Sequence, residues 1–373
     1  MSQASFHDVS ILSRGPEERS EAEERWVTFQ PYLLSKGYRL RARYQPDWVP
    51  SWTIAGGRPD NCEDSRDSMP VRVLDAVRID DERQVMIKML VPSVDDREGE
   101  DELDLLQRFS ASSLQVDPYN HVVPCLDAFP IPGVQNGIFV VMPLLSRYDY
   151  PPFSNLEELH DFLWQIFEGL LFLHDNNVAH CDIASANIMM DARPLFNEPF
   201  HPFLRHLTMD GKRLIYPRYL RSQRSVRYYY IDLGYAKRFH DPDTPRLLVG
   251  TRARERAPEQ KGGQPYDPFV ADVYQLGAVL RRDLIPKYVT LQFLLPLARL
   301  MTERDPSQRP ALKVARDRMS AEFDELSGWT RRWPIIPQDV RFTNRCILVF
   351  AAITNELILS MKYSLAALMF WRR

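Results

Sequence analysis

An α+β fold, a run of strands with one helix among them followed by a helical portion, is predicted by three features of this chain. Strand-like apolar runs crowd one region, at 71–79, 84–91, 121–129 and 137–145. A helical pattern interrupts them at about 98–110, where Leu105, Leu106 and Phe109 share a face. Beyond them, Leu159, Leu163, Ile166, Phe167, Leu170 and Leu173 recur at the spacing of a buried core helix.

The flanking segments follow from composition. The 373 residues carry a formal charge of -3 and 45% hydrophobic residues, which supports a sizeable core and lacks the basic footprint of a nucleic-acid binder. Residues 1 to about 25, with Glu17, Glu18, Arg19, Glu21, Glu23, Glu24 and Arg25 and no apolar core, read as a mobile arm or exposed helix and not as a secretory signal. From Tyr38 to Trp52 the chain interleaves Arg, aromatic and Pro residues. Such a mixture binds nucleic acid where a wider basic field supports it; without that field, a strap packed on the sheet is expected. Residues 53–70, rich in Gly, Asp, Ser and Pro, read as a loop.

Further along, Ser154-Asn155-Leu156-Glu157 reads as a capping box opening the long helix, with Ser154 and Glu157 satisfying its free amides. His160 and His174 on that helix read as polar-face or capping residues. Cys62, Cys125, Cys181 and Cys346 form neither a metal pattern nor a disulfide framework, so an intracellular, reducing compartment, cytoplasmic or nuclear, is expected.

The densest chemistry lies at residues 180–191, His-Cys-Asp-Ile-Ala-Ser-Ala-Asn-Ile-Met-Met-Asp, followed some forty residues on by Tyr-Ile-Asp-Leu-Gly around Asp232. An acid, an amide and a second acid in this order suit metal-assisted phosphoryl transfer, where catalysis is mostly positioning and charge neutralisation. Asp182 would take the proton of an acceptor hydroxyl. Asn187 and Asp232 would hold Mg²⁺, which prefers hard oxygen ligands.

With these motifs in order, the chain resembles eukaryotic-type protein kinases. Val85-Met86-Ile87-Lys88 is similar to the V-A-I-K strand, and Glu102 opens a helix like the one whose Glu pairs with that Lys. Ala257-Pro258-Glu259 is similar to A-P-E, Asp272 stands where the family braces its catalytic loop, and Arg309 is the expected partner of Glu259. The resemblance covers about two thirds of the chain and implies a bilobal kinase fold, a small lobe of antiparallel sheet plus one helix and a larger, mainly helical lobe, with ATP and Mg²⁺ as cofactors and a protein substrate. It implies catalytic roles for Asp182, Lys88 and Glu102. It places Met86, Met142, Leu144 and Met189 with Lys88 on the nucleotide, with residues 143–145 as the hinge. The organisation expected is an N-terminal extension at 1–70, a small lobe at 71–145, a large lobe at 146–325 and an apolar extension at 326–373.

Departures from the family sharpen the reading. No Gly-x-Gly-x-x-Gly precedes Lys88, and Met86 stands where a small Ala is usual. Cys181 replaces the Arg of H-R-D, so activity should not depend on a phosphate in the activation segment. Ala184 replaces the Lys that contacts the transferred phosphate, and Ala186 the Arg that tyrosine kinases use instead. Gly250-Thr251 resembles the Ser/Thr-kinase step, and Thr244 lies before a Pro as a candidate modification site. An insertion at about 192–227, longer than the family's usual hairpin, carries Arg205, Lys212, Arg213, Arg218, Arg221, Arg224 and Arg227 and would suit an acidic partner. Together with the 38–52 strap it resembles the extension of a group of fungal protein-kinase-like proteins.

From Cys346 to Trp371 the chain is apolar but broken by Glu356 and Lys362. An amphipathic or docking helix is therefore expected over a membrane anchor, with membrane contact as the alternative. Three functions compete: an active Ser/Thr-type protein kinase, a pseudokinase scaffold, and a small-molecule phosphotransferase. Ala257-Pro258-Glu259 and Arg309 argue against the last.

Overall fold

The computed structural model describes residues 15–68, 71–91, 99, 101–240, 245–250, 252–335 and 337–338, with scattered positions from 346 to 361. The chain divides into a smaller unit drawn from Met1–Val91, Leu126–Leu144 and Phe196–Tyr216, and a larger unit from Pro92–Cys125, Leu145–Leu195 and Pro217–Arg373.

The smaller unit is built on strands β1 (Tyr38–Arg39), β2 (Val73–Arg78), β3 (Arg83–Leu90), β4 (Asp127–Pro130) and β5 (Ile138–Pro143), paired antiparallel in the order β1-β2-β3-β5-β4. Alternation along β3 sends Val85, Ile87 and Met89 to one face, where they are buried with Leu74, Phe139 and Val141. Helix α1 (Glu21–Ser35) covers that face, with Trp26 5.9 Å and Phe29 5.3 Å from the Phe139 ring. From Glu21 on, this packed helix replaces the arm or exposed helix expected of the charged N-terminus, and residues 1–14 of that expected arm lie outside the described residues. Its charges are spent locally: Ser20 caps the Glu23 amide, and the Glu23 carboxylate accepts from the Ser20 amide and pairs with buried Arg43. Pro31 inside the helix hides it from a periodicity reading.

The opposite face carries Asp75, Met86, Lys88, Val140 and Met142, because Asp75 pairs with Met86, Met86 with Met142 and Lys88 with Val140. After β1 the chain leaves the sheet through a short helix α2 (Ser51–Ala55), and Arg41 reaches back so that its Nε lies 2.9 Å from Asp75 Oδ2. The same guanidinium pairs with Glu63. The middle of the insertion, Phe196–Tyr216, belongs to this unit as well: Gln84 Nε2 donates to Phe200 O at 2.9 Å, and His201 Nε2 donates to Glu63 at 3.0 Å. Two backbone amides, of Phe203 and Leu204, donate to His201 Nδ1, which fixes the neutral tautomer. Burial alone would raise the Glu63 carboxyl; His201 and Arg41 hold it below the usual carboxylate range.

The larger unit is mainly helical. Its helices are α3 (Glu102–Ser110), α4 (Ser112–Gln115), α5 (Leu156–Asp175), α6 (Pro268–Ala278), α7 (Leu295–Met301), α8 (Leu312–Asp324) and α9 (Gly328–Arg332). Helix α5 starts one residue later than the capping box predicts. Asn155 Oδ1 accepts from the Glu158 amide at 3.0 Å and the Glu158 carboxylate accepts from Ser154 N at 2.8 Å. Asn155 and Glu158 repeat the Ser154 and Glu157 spacing one position on, so the pattern alone could not choose between them.

Short strands frame a loop in this unit: β6 (Ser146–Arg147), β8 (Ile188–Asp191) and β9 (Arg227–Tyr230) form one sheet, and β7 (Val178–Ala179) pairs with β10 (Lys237–Arg238). The single strand expected at 121–129 is split. Val123 N donates to Tyr230 O beside β9, whereas Asp127 begins β4 in the other unit. Pro124, which cannot donate to a ladder, lies at the break.

His121 sits in this region against α5, where an added Cβ on Gly169 would lie 2.5 Å from His121 Cβ. Its Nδ1 is 2.8 Å from Tyr228 O, and burial lowers the imidazole from 6.5 to about 4. The unfolded chain therefore binds this proton more tightly than the fold. The stabilisation is complete above pH 6.5 and is lost as pH falls to about 4, a loss of about 3 kcal/mol. Urea midpoints measured near pH 7 and near pH 4.5 should fall less in His121→Gln than in wild type; equal falls would remove His121 from the acid response.

All four cysteines are free. Among the described residues no helix is long and apolar enough to cross a membrane. At the C-terminus Ile335 is buried, whereas Ile347, Phe350, Leu357, Ile358 and Met361 are exposed where described, and the rest of that apolar run lies outside the described residues.

Candidate active site

In the larger unit, β7 ends at the loop 180–187, β8 follows it, and β9 leads into Asp232. The loop is held from beneath by α6. Asp272, fully buried, accepts from His180 N and Cys181 N at 2.8 Å each and from His174 Nε2 at 3.0 Å. Gln275 accepts from Ile183 N at 2.8 Å and donates to Cys181 O and Glu255 O. This clamp holds Cys181 at φ 66, a left-handed conformation that side chains other than Gly rarely adopt. Asp232 shares it, at φ 62. Strained backbone of this kind persists where surrounding contacts over-determine it, and it clusters at functional sites. The Cys181 thiol is driven well above its ordinary value by burial, so it stays neutral and supplies neither a nucleophile nor a charge.

The three residues singled out by sequence come together here. Asn187 Nδ2 donates to Asp182 Oδ2 and to Asp182 O, both at 2.9 Å. Ile231 N donates to Asn187 O at 3.0 Å, which ties the amide residue to the chain entering Asp232. Asp182 Oδ1 accepts from Arg254 N at 2.7 Å, and the Arg254 guanidinium lies 3.7 Å from Asp182 Oδ2 and 3.6 Å from Asp232 Oδ2. Arg254 was not anticipated. It follows the Gly250-Thr251 step within Arg-Ala-Arg-Glu-Arg, and no spacing rule says which of those basic residues turns towards the acids.

Other expected residues are placed by their own units. Glu102 begins α3 and is buried; Gly99 N donates to Gly234 O at 2.9 Å and Lys237 Nζ lies 2.8 Å from Asp101, so the start of α3 is bound to the Asp-Leu-Gly segment. Met189 lies on β8, half-buried. Lys88, Met86, Met142 and Leu144 belong to the smaller unit, with Leu144 buried and the others half-buried. Arg309 meets Glu259 in a bidentate pair at 2.6 and 2.7 Å, as its position implied. Thr244 and Thr251 lie outside the described residues.

Two of the insertion's basic residues are engaged locally. Arg221 is buried, donating to Tyr148 O and the Tyr228 hydroxyl at 2.7 Å, and Arg227 donates to Asn120 O at 2.8 Å. Arg205, Lys212 and Arg213 belong to the smaller unit, and the others to the larger.

The donor set suits a hard cation. Among the described residues no three acidic, His or Cys side chains converge on a metal, yet Mg²⁺ needs only one or two protein oxygens when phosphates supply the rest. Asn187 and Asp232 can provide them, and a guanidinium already lies between the two carboxylates.

A clamped loop bearing acid and amide, with a second acid just beyond β9, is the arrangement of the protein-kinase class. The family model described as the protein kinase domain matches residues 71–290, and the chain belongs to that family. A search of curated proteins found no match. Kinase domains generally use ATP and Mg²⁺ to phosphorylate proteins.

Proposed function

We propose that the protein is an ATP-dependent protein kinase of the Ser/Thr type. Asp182 is the base, Asn187 and Asp232 hold Mg²⁺, and Lys88, Glu102, Met86, Met142, Leu144 and Met189 carry the positioning and nucleotide-binding roles that the family resemblance implies for them. The observation that carries this reading is the Asp182–Asn187 hydrogen bond with Asp232 joined to it through Arg254. When bound, Mg²⁺ supplies neutralising charge for the phosphates. The acceptor oxygen forms the new bond to phosphorus, the bond to the ADP oxygen breaks, and the acceptor proton passes to Asp182. Gly250-Thr251 supports a Ser/Thr acceptor. The free thiols support an intracellular setting, and the kinship of strap and insertion to fungal kinase-like proteins rests on sequence alone.

A pseudokinase scaffold is the second reading, and two observations favour it. The connection from β1 to β2 is not a tight glycine hairpin, and Phe200 and His201 of the insertion dock through Gln84 and Glu63 beside the sheet face that carries Met86 and Lys88. A melting titration separates the two. Millimolar Mg·ATP should raise the melting temperature by mass action, by about 2.7 kcal/mol of stability at a hundredfold excess over Kd. Asp232→Ala should lose the metal-dependent part of that rise. No shift in wild type would favour the scaffold, and an undiminished shift in Asp232→Ala would overturn the metal assignment.

A further inference from the structure

The site has lost two basic groups: position 184 is Ala, and Cys181 is buried and neutral. A triphosphate nevertheless brings concentrated negative charge, and its transferred group needs donors on its outer oxygens. Arg254 is built to supply them. Its main chain is fixed: Ala253 is buried, Arg254 N donates to Asp182 Oδ1 at 2.7 Å, and Glu255 O accepts from Gln275 Nε2 at 3.0 Å while the Glu255 carboxylate pairs with Arg282. Its side chain is held loosely. The side chain is 53% exposed, and its guanidinium stands 3.6–3.7 Å from Asp232 and Asp182, longer than a direct hydrogen bond. The pair with Asp232 is exposed on both sides and worth little, and buried Asp182 keeps its bonds from Arg254 N and Asn187 Nδ2 when the guanidinium turns away, so the exchange for a phosphate costs little. A guanidinium also presents paired N–H groups matched to phosphate oxygens.

We propose that Arg254 is the catalytic cation that contacts the terminal phosphate of the bound nucleotide, replacing from the activation segment the basic group missing at position 184. This rests on the kinase reading above. The anchored backbone sets the position of Arg254 beside the base, and the free guanidinium turns from the two carboxylates to the phosphate when nucleotide enters.

Titration calorimetry tests it without requiring turnover. Wild type, Arg254→Ala and Arg254→Lys are each titrated with Mg·ADP and with the Mg complex of an imido analogue of ATP. Arg254→Ala should weaken the triphosphate analogue about tenfold, the size expected for a lost charge-assisted contact, and leave ADP unchanged. Arg254→Lys should restore part of the affinity, because it keeps the charge and loses the fork. If the alanine variant binds both ligands as wild type does, or binds either more tightly, Arg254 is only a counter-ion for the acids and the proposal falls while the kinase reading stands. If wild type binds neither nucleotide, the kinase reading falls and takes this proposal with it.

Discussion

Asp182→Asn is expected to lower phosphoryl transfer by a factor of about 10²–10⁴, the usual contribution of a positioned general base, and to leave the fold standing. The carboxylate is buried and both oxygens are engaged, Oδ1 by Arg254 N and Oδ2 by Asn187 Nδ2. An Asn at 182 can keep one of those bonds. Its own NH₂ group then faces the Asn187 NH₂ group, and losing that hydrogen bond costs about 1 kcal/mol. Removing a buried negative charge offsets part of the cost, so a urea melt should move by about 1 kcal/mol or less. Transfer of radiolabel from ATP to a generic protein substrate, measured beside that melt, decides the matter. A folded Asp182→Asn protein that still incorporates label at the wild-type rate rules out Asp182 as the base.

The same geometry explains how the segment after Thr251 is held near the base without an Arg at position 181. Gln275 binds Cys181 O and Glu255 O with one amide, and Glu255 pairs with Arg282. The loop 180–187 and the segment at 253–255 are thus fastened to α6 and the turn that follows it by the Gln275 amide, the Asp272 carboxylate and the Glu255–Arg282 pair.

Much of this was legible before any coordinates. Lys88 announced its strand by the apolar run around it, and the loop 180–187 by the spacing of an acid and an amide. The Arg309 pair followed from motif order. What stayed hidden depends on the chain folding back on itself. Helix α1 was obscured by Pro31 and by Glu23, whose charge reads as solvent-facing until Arg43, twenty residues on, is placed beside it. Arg254 was obscured because three arginines share five positions. The insertion's docking was obscured because Gln84 and Phe200 are 116 residues apart, and no local pattern encodes such a pairing.

Arg43→Ala is expected to destabilise the smaller unit by about 3–5 kcal/mol, the cost of leaving a buried charge without its partner. All five N–H groups of Arg43 are used. Nε lies 2.5 Å from Glu23 Oε1, Nη1 donates to Pro16 O and Asp64 O, and Nη2 donates to Glu18 O and Glu23 Oε2. The guanidinium also lies 4.9 Å from the centre of the Trp48 ring, with Arg19 4.8 Å from the same ring. Truncation therefore strands a fully buried carboxylate and three carbonyls at once, in the segment that joins α1 to the strap. Arg43→Lys should recover little, because an ammonium cannot span the same five acceptors. In contrast, Glu23→Gln combined with Arg43→Met should be milder than Arg43→Ala alone, since replacing both members of a buried pair removes the stranded charge. Urea midpoints of the four proteins test the ranking, and hydrogen exchange over residues 21–35 should localise the loss to α1. An Arg43→Ala protein within about 1 kcal/mol of wild type would mean that the pair contributes no more than a surface salt bridge does, and that α1 is held to the back of the Lys88 sheet by its apolar residues Trp26, Val27, Phe29, Tyr32 and Leu33.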